Sequence, residues 1–132
     1  MKRLLVVDDA LFMRKLIGTV AAEAGWTVVG EAGDGVEAVE SYERLCPDLV
    51  TLDLVMPRMT GLEALKEIRG RDPEARVVVI TALDQKEALM ESIHLGAIDF
   101  VVKPFDRGRL LGLFAKLGGH QATDTPRPDP GD

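Results

Sequence analysis

Short runs rich in Val, Ile and Leu alternate with segments whose apolar residues recur every three or four positions, and this alternation constrains the fold more than any other feature. Residues 3 to 7 form an apolar run that reads as a buried strand ending in Asp8-Asp9. From Phe12 the spacing changes: Met13, Leu16, Ile17, Val20, Ala21 and Ala24 mark the buried face of a helix that Gly25 ends. Trp26 to Ala32 is a second strand, and Asp34 with Glu37 three residues on opens a helix carrying Val36, Val39 and Tyr42 that stops before Pro47. Leu49-Val50-Thr51-Leu52 then delivers Asp53 at the end of a third strand. Thr60 and Glu63 repeat the capping pattern for a helix with Leu62, Leu65 and Ile68 that ends near Gly70. Arg76 to Thr81 is the most continuously apolar strand, as expected of a central one covered on both faces. Asp84 and Glu87 open a fourth helix through Leu95, closed by Gly96. Ile98 to Val102 is a fifth strand ending in Lys103-Pro104, and Asp106 caps a last helix presenting Leu110, Leu111, Phe114 and Leu117.

Five strands alternating with five helices over short connections predict an α/β fold: a doubly wound, five-stranded parallel sheet of order 2-1-3-4-5 with helices on both faces. At 132 residues the chain is expected to form one domain over residues 1–117, followed by a disordered tail over 118–132 that has three prolines and almost no apolar content. No apolar run approaches the roughly 18 residues a membrane span needs, and the apolar stretch after Lys2-Arg3 is too short for a signal peptide, so a cytoplasmic protein is expected. A net charge of -6 without a basic stripe argues against direct nucleic-acid binding. The single cysteine, Cys46, excludes an internal disulfide and reads as an incidental packing thiol.

In a doubly wound sheet the residues just past the carboxyl ends of the strands gather along one edge. Here those are Asp8-Asp9, Asp53, Thr81 and Lys103. With strands one and three adjacent, three carboxylates come together, which is unfavourable unless something positive joins them. Carboxylates without His or Cys favour a hard cation, Mg2+ first and Mn2+ second. Lys103 adds a positive point charge and Thr81 a hydroxyl donor, and together they describe a receptacle for a phosphoryl group. Singly, each has a plain structural reading: a solvated turn for Asp8-Asp9, a loop cap for Asp53, a surface lysine for Lys103, a strand-end hydroxyl for Thr81. Their coincidence at successive strand ends favours a joint site, in which an Asp53 oxygen attacks phosphorus and an aspartyl phosphate forms.

The motifs "VVDDALFMR", "LVTLDLVMPRMTGLEAL", "VVVITAL" and "FVVKPF" together resemble the response-regulator receiver domain, in its stand-alone chemotaxis (CheY-like) type, over residues 2 to about 117. The resemblance implies that a partner histidine kinase phosphorylates Asp53, and that Asp8, Asp9, Asp53 and the Val55 backbone carbonyl hold Mg2+. It implies that Thr81 and Lys103 contact the phosphoryl group and that the Lys103-Pro104 bond is cis. It also assigns a switch: Thr81 moves toward the phosphate and the aromatic at Phe100 turns inward, changing the face made by helix four, strand five and helix five. Phe100 lacks the hydroxyl of the tyrosine that many chemotaxis members carry there, and an ordinary core role is compatible with the switch.

On this reading the chain is a single-domain response regulator, expected as a monomer, that catalyses only its own phosphorylation and autodephosphorylation. Its expected partners are a chemotaxis-type histidine kinase, an effector such as a flagellar motor switch protein, and a phosphatase. Phe12-Met13-Arg14 reads equally as a kinase-docking segment or, at Met13, as core. An apolar Leu83 two residues past Thr81 is expected to slow hydrolysis of the acyl phosphate. His94 and His120 lack metal-ligand company and are expected to face solvent. A phosphorelay intermediate that hands its phosphoryl group to a second histidine protein is the alternative. A flavodoxin-like cofactor binder or metal-dependent hydrolase is a remote one, since no hydroxyl-rich phosphate loop follows strand one.

Overall fold

A computed structural model describes the backbone of residues 2–122 and the side chains of residues 2–118. The elements run β1 (Arg3–Val7), α1 (Leu11–Glu23), β2 (Thr27–Ala32), α2 (Gly35–Leu45), β3 (Leu49–Leu52), α3 (Gly61–Arg71), β4 (Val77–Ala82), a 3-10 turn (Leu83–Gln85), α4 (Lys86–His94), β5 (Asp99–Lys103) and α5 (Arg107–Ala122). All neighbouring strands are parallel, in the order β2-β1-β3-β4-β5, as the alternation of elements predicts.

The period-two alternation of side chains along each strand divides the interior into two cores. On one face Leu5, Val7, Val50, Leu52, Val77 and Val79 pack against α2, α3 and the inner side of α4. On the other Leu4, Val6, Leu49, Val78, Ile80 and Val101 pack against α1 and α5, with Phe114 fully buried. Two covered faces explain why β1, β3 and β4 read as near-continuous apolar runs, with only the small hydroxyls of Thr51 and Thr81 among their buried residues. At the foot of the sheet, away from the strand ends that carry Asp8 and Asp53, the Trp26 indole donates to the Phe114 carbonyl at 2.9 Å and ties β2 to α5. No described helix is long and apolar enough to cross a membrane.

The capping signals differ in outcome. Thr60 and Glu63 form a complete capping box at α3. Asp34 caps α2 through Glu37 N–H, while the Glu37 carboxylate turns instead to Gly33 N–H. Asp106 accepts from Arg109 N–H at 2.8 Å, as expected for α5. Asp84, by contrast, caps nothing: it lies inside the 3-10 turn, where the backbone is not extended as a cap requires, and α4 begins only at Lys86.

Two further expectations are corrected. The last helix does not stop at Leu117 but continues to Ala122. Gly118 is a close-approach residue and not a terminus, since a Cβ there would lie 3.0 Å from Lys2 and 3.3 Å from the Trp26 indole nitrogen. The rest of the expected tail, 123–132, lies outside the described residues, as does the His120 side chain. Cys46 is not a packing thiol: it takes the left-handed C-cap of α2 at φ 46, which leaves it exposed.

Candidate functional site

Asp8 stands one residue past β1 and Asp53 one past β3, while Thr81 is the last residue but one of β4 and Lys103 the last of β5. Parallel strands in register therefore bring all four to one edge. The carboxylate oxygens offered by Asp8, Asp9 and Asp53 lie within 4.8 Å of one another. Asp8 is buried at 1% exposure and Asp53 at 7%, whereas Asp9 is exposed at the rim.

Each oxygen of Asp53 has its own donors. The Thr81 hydroxyl donates to Oδ1 at 3.0 Å, joined by the Val55 N–H at 3.3 Å. Lys103 Nζ donates to Oδ2 at 3.1 Å and to Asp8 Oδ2 at 2.7 Å, so one ammonium bridges two buried acids. Burial alone would push the Lys103 pKa down, but the hydrogen bond to Asp8 and the charges of Asp53 and Asp8 outweigh it and hold it above the ordinary lysine value. Asp8 Oδ1 accepts from Ala10 N–H at 2.9 Å, which fixes the acidic loop at the start of α1.

Three carboxylates face one ammonium, an excess of negative charge in a partly buried site. The donor set is all oxygen, with no His or Cys within it. That composition fits a hard divalent cation, Mg2+ or Mn2+, and not a softer metal. Val55 lies in the turn beyond Asp53 and is 52% exposed. The Lys103-Pro104 bond is cis.

The remaining residues singled out by sequence fall elsewhere. Phe100 lies on the edge strand β5, 38% exposed, so its ring is not part of the core, and Arg109 donates to its carbonyl at 2.8 Å. Leu83 is exposed just beyond β4, His94 is exposed on α4, and Phe12 is exposed beside Asp9, while Met13 packs against the α1 and α5 side of the core. Arg14, read in the sequence only as part of the Phe12-Met13-Arg14 docking segment, braces the site: it donates to the Asp8 carbonyl at 2.7 Å and to Glu31 at 2.9 Å. Its only signal is a basic residue in the first turn of a helix that follows two acids.

A family model for the response regulator receiver domain matches residues 4–115. The chain is 47% identical over 116 residues to the chemotaxis protein CheY of Thermotoga maritima, covering 88% of this chain and 97% of that protein. It is 46% identical over 120 residues to Protein CcdB of Bacillus subtilis, covering 91% of this chain and all of that protein. Among solved structures it is similar to a chain of the CheX-CheY-BeF3-Mg2+ complex of Borrelia burgdorferi, with a TM-score of 0.83 and 34% identity over 89% of each chain.

Proposed function

The chain belongs to the response regulator receiver domain family, and from that premise we propose that it takes a phosphoryl group on Asp53 from the phosphohistidine of a chemotaxis-type kinase and thereby signals to an effector. The observation that carries this reading is the division of labour at Asp53, where Thr81 and Lys103 engage different oxygens of one buried carboxylate. An acid so held is oriented for attack, and its donors are already placed for the oxygens it will acquire.

Transfer forms a bond from phosphorus to an Asp53 oxygen and breaks the bond from phosphorus to the histidine nitrogen. Lys103 then follows the added negative charge, and Thr81 turns its hydroxyl from Asp53 to a phosphoryl oxygen. Asp8, Asp9, Asp53 and the Val55 carbonyl are the groups that would hold Mg2+ or Mn2+. The cation supplies positive charge that offsets repulsion between the acid and the phosphoryl oxygens. These residues modify only their own chain, so no external substrate is turned over beyond phosphodonor and water.

Withdrawal of the Thr81 hydroxyl frees space toward which the half-exposed Phe100 ring can turn, changing the face of α4, β5 and α5. Met90, Ile93 and Ile98 lie exposed in α4 and at the start of β5 and suit that face to a protein partner. Similarity to chemotaxis proteins suits an effector in chemotaxis, for which a flagellar motor switch protein is our candidate, and the CheX-CheY complex suits a CheX-like protein as a further partner. The protein would act as a cytoplasmic monomer. Incubation with Mg2+ and acetyl phosphate or beryllofluoride tests the site: the wild type forms an adduct and Asp53→Asn does not. Equal reaction by Asp53→Asn overturns the assignment. Capture by the phosphorylated form of a histidine phosphotransferase, with no motor component, would shift the output to a phosphorelay.

A further inference from the structure

Arg58 has φ 67, in the left-handed region that a non-glycine residue occupies only with support. The support is ionic. Its Nε and Nη2 donate to Asp34 Oδ2 at 3.0 and 2.8 Å, while Asp34 Oδ1 accepts from Glu37 N–H at 2.9 Å as the cap of α2. One carboxylate thus joins the start of a helix to the turn that leaves β3. Beside it Gly35 N–H donates to the Met59 carbonyl at 3.1 Å, and a Cβ on Gly35 would lie 2.3 Å from that oxygen, so turn and helix are in direct contact. The far end of the turn closes through Gly61 N–H to the Leu54 carbonyl at 3.0 Å. Val55 lies between these fastenings, with its N–H on Asp53.

We infer that Arg58 is a positioning residue, which through Asp34 locks the Leu54 to Thr60 turn onto α2 and presets the Val55 backbone beside Asp53 for the divalent cation. The inference rests on the proposed Mg2+ site formed by Asp8, Asp9, Asp53 and Val55. Arg58 itself bonds to Asp34 and makes no hydrogen bond to any of the three acids. Without its partner the backbone at 58 relaxes out of the left-handed region, and the displacement passes to Val55 three residues upstream. A plain surface ion pair would affect thermal stability and leave cation affinity unmoved.

The test is a Mg2+ titration of the full chain followed through the amide resonances of Val55 and Asp9, with melting curves recorded in chelator. Arg58→Ala is expected to weaken Mg2+ binding about three- to fivefold and to shift the Val55 amide before any metal is added. Arg58→Lys, which keeps the ion pair, restores most of the affinity. Arg58→Gly, free to adopt φ 67 but without the pair, stays weak. Wild-type affinity in Arg58→Ala or in Arg58→Gly overturns the inference. If Asp9→Asn and Asp53→Asn bind Mg2+ as tightly as the wild type, the metal site itself is wrong and the role of Arg58 falls with it.

Discussion

Lys103 Nζ lies between two buried acids, 2.7 Å from Asp8 and 3.1 Å from Asp53, and bridges residues 95 and 50 positions away in the chain. The bridge sets the resting charge of the site. One ammonium meets three carboxylates, so the pocket is held together and left short of positive charge at once. It is a site whose stability should depend on what binds it.

Added Mg2+ is therefore expected to raise the melting temperature, by the equivalent of about 2.7 kcal/mol at a concentration a hundredfold above its dissociation constant. Asp9→Asn should do two opposite things. It relieves repulsion in the rim and stabilises the metal-free protein by roughly 1 kcal/mol, and it removes most of the gain from Mg2+. Calorimetry of both proteins with and without metal checks the pair of outcomes.

Tyr42 predicts the alkaline limb of stability. Its hydroxyl donates to Asp72 Oδ2 at 2.6 Å, and burial, then the hydrogen bond and charge of Asp72, raise its pKa far above the ordinary 10.0. The folded state thus keeps a proton that the unfolded state releases, so stability is fully present below pH 10.0 and falls as pH rises beyond it. Tyr42→Phe should cost about 1–2 kcal/mol at neutral pH and flatten this fall. Urea titrations at several pH values distinguish the two proteins.

Glycines in and around α3 should respond oppositely to the same substitution. A Cβ on Gly61 would lie 2.2 Å from the Asp53 carbonyl oxygen and 2.5 Å from the Leu54 Cα, both backbone atoms that cannot step aside. Gly70 has nothing within 4 Å of such a Cβ. Gly61→Ala is expected to lose about 2–3 kcal/mol and to disturb Asp53, while Gly70→Ala gains about 1 kcal/mol. Melting curves and adduct formation with beryllofluoride separate the cases.

Thr51 is fully buried in β3, and its hydroxyl has no partner among the described residues. Valine has nearly the same shape without the unmet polar group, so Thr51→Val should stabilise by about 1 kcal/mol, measured by urea unfolding.

The strands and the site were legible for the same reason. A strand covered on both faces is mostly apolar and admits at most a small hydroxyl such as Thr51, so the first charged side chain at its carboxyl end, Asp8 after β1 or Asp53 after β3, marks both its end and the shared edge. Thr60 with Glu63 was legible because a capping box is a local device. Asp84 with Glu87 has the same spacing and no such box, because the chain enters a 3-10 turn directly from β4 and α4 starts only at Lys86. Gly118 looks like a stop signal in sequence, yet it answers to Trp26 and Lys2, which are distant in the chain. The bracing role of Arg14 and the role of Arg58 escaped for a related reason: each acts on a backbone group or carboxylate that only the fold brings into reach.

The anchoring of α5 by Trp26 has a consequence for how this molecule can be watched. Trp26 is the sole tryptophan of the chain, 3% exposed, and it precedes β2 at the end of the sheet opposite the acids. A strand of five or six residues separates the two ends by roughly 15–20 Å, beyond the reach of contact quenching by a bound cation or phosphoryl group. Intrinsic fluorescence will report the melting of the whole fold and stay silent while the signalling chemistry takes place, so kinetic work on Asp53 calls for a reporter placed at the other end.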